Sequence, residues 1–172
     1  MKRNGGLTIL ATVALAALAA GRNFTYVGAK KCQICHRTDA QGRQFPIWEA
    51  SKHSLSFKVL TSPQAVDAAR LTGIENPAEE AFCLECHAPL SGEEEEIKAE
   101  GVTCEACHGP GSEYKQLSVM QDRAEAVQKG LILQGTIEAI KASCLKCHEN
   151  AHGMTFDFAA RWDKIRHPIP GK

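Results

Sequence analysis

A mainly α-helical domain of short helices and loops, with little or no sheet, is what this sequence predicts. Three observations carry that prediction. Cys-x-x-Cys-His occurs four times in the 172 residues, as Cys32-Gln33-Ile34-Cys35-His36, Cys83-Leu84-Glu85-Cys86-His87, Cys104-Glu105-Ala106-Cys107-His108 and Cys144-Leu145-Lys146-Cys147-His148. Cysteines three residues apart share one helical turn. The segments between the repeats carry apolar residues at helical spacing, such as Trp48, Leu55 and Val59, or Phe158, Trp162 and Ile165. Aromatic residues make up only 6% of the chain, too few to build a large ordinary core.

The repeated pentapeptide has a chemistry of its own. Two thiols one turn apart suit addition to the two vinyl groups of one haem, and the following histidine is then held under the iron. Cys32, Cys35, Cys83, Cys86, Cys104, Cys107, Cys144 and Cys147 would be the thioether donors, and all eight cysteines of the chain are used. His36, His87, His108 and His148 would be the proximal ligands. Zinc ribbons also use paired C-x-x-C units, and exported chains form disulfides. Neither explains a histidine after every second cysteine. Four c-type haems are therefore the expected cofactors. They would supply the apolar surface that the side chains lack, with the chain wrapped around them.

Taken in order, residues 1–20 read as an export signal. Lys2 and Arg3 form a basic start, Leu7 to Leu18 an uncharged apolar run, and Ala17-Leu18-Ala19 a small-x-small cleavage site. The rival is an uncleaved anchor, although a span takes about 20 apolar residues. Export fits haem attachment, which occurs outside the cytoplasm, so a periplasmic or other extracytoplasmic location is expected. Residues 21–172 are one domain by size. Formal charge is balanced over the whole chain, and there is no basic block, which excludes nucleic acid as a partner.

Trp48 to Val59 reads as one helix carrying His53. Ser62-Pro63 starts a helix through Arg70, and Asn76-Pro77 another before the second motif. Glu93 to Glu96 is an acidic run, read as a solvated helix start, with docking of a basic partner as its rival. Gln121 to Ala142 splits into two helical stretches at Gly130 and Gly135. Asp157 to Arg166 is a final helix, leading to His167. Only His53, His152 and His167 lie outside the motifs. In a domain with four irons such histidines become candidate distal ligands.

Tyr26-Val27-Gly28-Ala29-Lys30-Lys31-Cys32, the segment Trp48 to His53, and Gly101-Val102-Thr103 leading through the third motif to Gly109-Pro110-Gly111 resemble the tetrahaem cytochrome c-554 family. The resemblance runs over nearly all of the chain after the signal. It implies a mostly helical fold, closely packed haems and electron relay outside the cytoplasm. It also implies that His53 serves the haem of His108, and that His167 serves the haem of His148. The family's type member has a histidine shortly after Gly-Pro-Gly, serving haem 1. Ser112 to Met120 contains none here, so Met120 is a tentative ligand to haem 1, and its rival role is core filling. In the family the loop after motif four approaches haem 2, whose sixth site can be empty. His152 or Met154 would fill it, unless His152 is a surface residue.

The short gap from His87 to Cys104 makes haems 2 and 3 expected neighbours. The expected function is electron transfer between a redox protein donor and a redox protein acceptor. Two alternatives stay open. One is a subunit of a larger redox complex, membrane-bound or self-assembled into a haem filament. The other is nitrogen-oxide redox chemistry at an open haem 2, for which no acid–base set is evident. An electron carrier is therefore expected over an enzyme.

Overall fold

Helix dominates because most local signals favour it, and each helix is short because turn chemistry soon interrupts it. The computed structural model describes residues 23–93 and 95–169, so the export segment read over residues 1–20 lies outside the described residues. There the chain forms α1 (Ala29–His36), α2 (Gln44–Glu49), α3 (Ser56–Leu60), α4 (Pro63–Arg70), α5 (Ala81–His87), α6 (Glu95–Ala99), α7 (Glu105–His108), α8 (Leu117–Gln121), α9 (Arg123–Gln128), α10 (Ile137–His148) and α11 (Phe158–Ile165). No strand occurs among the described residues, so the molecule is mainly α.

Side-chain caps set several helix starts. Ser62 Oγ accepts from the Ala65 amide at 3.2 Å, with Pro63 in the first turn, a cap and a proline that both favour helix initiation. Thr136 and Asp157 cap α10 and α11 in the same way. The region 121–142 divides as its glycines suggest, into α9, an extended piece and α10. Two segments depart from expectation. Trp48 to Val59 is not one helix. Ser54 Oγ donates to the carbonyls of Glu49 and Ser51, and the His53 amide donates to Ser51 Oγ. These local bonds compete with the helical ladder. The chain therefore breaks between α2 and α3, leaving His53 at the head of a single 3₁₀ turn, His53–Leu55. Asn76-Pro77 opens a turn and not a helix, because Asn76 Oδ1 accepts from the Ala78 amide, the local bonding that favours turns.

Two buried carboxylates join distant segments. Glu100 accepts from the Ala29 amide at 2.5 Å and the Lys30 amide at 3.3 Å. It thereby caps the start of α1 from far along the chain, satisfying amides that have no partner within the helix. Glu105, only 2% exposed, accepts from the amides of Val27 at 3.0 Å, Gly28 at 2.8 Å and Gly111 at 2.6 Å. A Cβ on Gly111 would meet Glu105 Oε1 at 2.9 Å, which explains the second glycine of Gly-Pro-Gly. Glu105→Ala strands three donors, the Gly28 and Gly111 amides buried and the Val27 amide part-buried, and should cost about 3–5 kcal/mol. Thermal unfolding measures this, with Glu105→Gln expected to lose less because it keeps one acceptor. A change in Glu105→Ala below about 1 kcal/mol would show the carboxylate to be dispensable.

The apolar interior is small. Tyr114, Val119 and Ala126 form a buried cluster, with Met120 and Leu131 against it, where α8 packs on α9. Met120 thus packs, partly buried, beside core side chains. Elsewhere large apolar groups stay exposed, Phe82 at 76% and Ile34 at 79%. Both belong to motif-bearing helices, where haem contact is expected.

Candidate haem-ligating histidine pairs

Each of the four motifs lies at the end of a helix, and its histidine is the last helical residue, in α1, α5, α7 and α10. Three of these rings face a second imidazole. His87 and His152 have centroids 6.0 Å apart, His108 and His167 5.9 Å, and His53 and His148 6.2 Å. Two imidazole nitrogens bound to one metal at about 2 Å each, with ring centres about 1 Å further out, set centroids about 6 Å apart. The spacing thus fits one iron between each pair. Among the described residues no three of His, Cys, Asp or Glu converge, as a protein-only metal site would need.

Neighbouring groups prepare the rings. His87 Nδ1 lies 2.9 Å from the Ser56 carbonyl, and His36 Nδ1 3.2 Å from Gln44 Oε1. Both bonds commit Nδ1 as the donor and leave Nε2 its lone pair. Phe156 stacks on His148 at 4.5 Å. Burial lowers the basicity of His53, His108, His148 and His167, the nearby imidazoles His148 and His167 adding to the effect at His53 and His108 respectively. A ring held neutral is the form that ligates metal. Asn150 and His152 both take left-handed backbone, with φ of 54° and 53°. That conformation is uncommon for a side-chain-bearing residue, and it turns the loop after α10 so that His152 stands opposite His87.

The pairing differs from the one expected. His53 stands opposite His148, not His108, and His167 opposite His108, not His148. Two tethers position the segments that carry His167 and His53. Gln44 Nε2 donates to the Pro168 carbonyl at 3.1 Å, drawing the chain after α11 toward α2 and the first motif. Trp48 Nε1 donates to the Val102 carbonyl at 2.8 Å, and the Val102 amide donates to the His53 carbonyl at 3.1 Å. This fixes His53 beside the stretch of chain entering motif three. Gly101 permits the approach, since a Cβ there would meet the His53 carbonyl at 2.6 Å.

The thiols show which motifs adjoin. All eight are free cysteines. Cys32 and Cys104 hydrogen-bond each other, which lowers Cys32 and, with burial, raises Cys104. Burial and then the hydrogen-bonded Cys86 push Cys147 up to about 11. Cys107 is raised by burial first and then by Cys144. Thiols of motifs one and three, three and four, and four and two therefore lie near one another. Motif two also adjoins the entry to motif three, as their short separation predicts: Ser56 Oγ donates to the His87 carbonyl at 2.7 Å and accepts from the Val102 amide at 3.0 Å.

Sequence reasoning did not single out Gln44, Ser56, Glu100 or Glu105.

Helices ending in Cys-x-x-Cys-His, with a second imidazole one metal's width away, are the ligand set of a c-type cytochrome. The family described as "Cytochrome c554 and c-prime" matches residues 31–109. Cytochrome c-554 of Nitrosomonas europaea is 26% identical over 164 residues, covering 84% of this chain and 68% of that protein. The chain is similar to that family over these residues. No solved structure matches it.

Proposed function

We propose that the chain is a tetrahaem electron carrier working outside the cytoplasm between redox proteins. Electron transfer by a c-type cytochrome is what the similarity to that family supports. The finer reading rests on one observation, the unbroken succession of four motifs through neighbouring thiols. When bound, haem supplies reversible one-electron exchange at iron, with a potential set by axial ligands and burial. The chain's own part is to hold neutral imidazoles at fixed separation, to orient them through Nδ1 and to keep the attachment sites adjacent. Bis-imidazole pairs at His53/His148, His87/His152 and His108/His167 are the proposed ligands. Glu95 and Glu96 are exposed at the start of α6 and offer an acidic surface to a basic partner.

No helix among the described residues is long and apolar enough to cross a membrane. An extracytoplasmic site follows from the family and from the attachment chemistry. Chemistry at an open haem 2 loses support, because His152 occupies the position opposite His87. Mass measured under denaturing conditions tests the proposal. It should exceed the polypeptide by about four haem masses, one per complete motif. A bare polypeptide mass would defeat it.

A further inference from the structure

The chain has seven histidines, all within the described residues. Six stand in the three pairs above. His36 is the one left over. Its Nδ1 is engaged by Gln44, so Nε2 holds the lone pair for iron on one face. His108 and His167 are close enough for His36 to act on them electrostatically, but they face each other. Among the described residues the soft sulfur donors outside the motifs are Met120 and Met154. Met120 packs against the Tyr114, Val119 and Ala126 cluster, and Met154 is 63% exposed in the loop beyond His152.

We infer that the first motif holds the one haem with no ligand from the described residues opposite its proximal histidine, so that the site of His36 binds a small exogenous lone-pair donor. This rests on the tetrahaem reading and reverses the expectation for the first two haems. The open position moves from His87 to His36.

Carbon monoxide titration of the reduced holoprotein is the test, with haem content assayed in the same sample. Wild type should bind about one carbon monoxide per four haems. His152→Ala should raise that to about two, by opening the second site as well. Met120→Leu should leave wild-type binding unchanged. Four haems with no carbon monoxide bound would overturn this inference while leaving the carrier reading intact. So would binding that stays at one in His152→Ala, which would put the open site at His87. A far-red thioether charge-transfer band in oxidised wild type that disappears in Met120→Leu would overturn it too, by filling the site from Met120. Absence of haem from the purified protein would instead defeat the reading beneath.

Discussion

Made without haem attachment, the polypeptide will not fold. The longest described helix is α10, with 12 residues. Isolated helices shorter than about 12–15 residues are marginal in water. Packing must therefore stabilise them, and the chain supplies little. Its buried apolar residues are Ala29, Phe45, Leu60, Ala78, Ala88, Ile97, Tyr114, Val119 and Ala126, four of them alanines. The apolar side chains that would complete a core, Ile34, Leu55 and Phe82 among them, are exposed. Binding energy for the missing group is then folding energy. Replacing all eight cysteines by alanine, or producing the chain where no haem is attached, should reduce the far-UV helical signal to that of a largely unfolded chain. No cooperative thermal transition should remain. A cooperative transition in the apo-protein would mean that the side chains alone make a sufficient core.

The second large effect concerns the ring pairs. His53→Ala and His167→Ala should each convert one low-spin haem to a high-spin one, because each removes one of two imidazoles from an iron. The combined variants separate the observed pairing from the one implied by the family. In His53→Ala/His148→Ala both lost ligands belong to one iron, so one haem should change. If His53 served the haem of His108, two haems would change. The combination His108→Ala/His167→Ala has the same logic. EPR quantitation of low-spin signals, normalised to haem content, counts the altered haems.

Much of this arrangement was legible in the sequence, and the part that was not has a common physical cause. The motif helices, the Ser62-Pro63 start of α4, the break at Gly130 to Gly135 and the last helix all follow from signals within a few residues. The ring partners do not. They depend on contacts between segments far apart in the chain, Gln44 with Pro168 across 124 residues and Trp48 with Val102 across 54. Neither contact leaves a local pattern. The same holds for Glu105, whose amide partners Val27 and Gly28 lie 78 and 77 residues away in the chain. Ser51 and Ser54 were visible but were outweighed by the apolar stripe from Trp48 to Val59. Their hydroxyls redirect the backbone, and His53 owes its position at a turn to that competition. His152 reaches His87 through two departures into left-handed backbone, at Asn150 and at His152 itself, which periodicity does not register.

Three pairs of imidazoles stand one iron apart, and the fourth proximal histidine, His36, has no facing imidazole among the described residues. The EPR spectrum of the oxidised holoprotein, integrated against haem content, tests this most directly. The expected result is about three low-spin bis-imidazole haems and about one high-spin haem in every four. Four low-spin haems, or two or more high-spin ones, would contradict it.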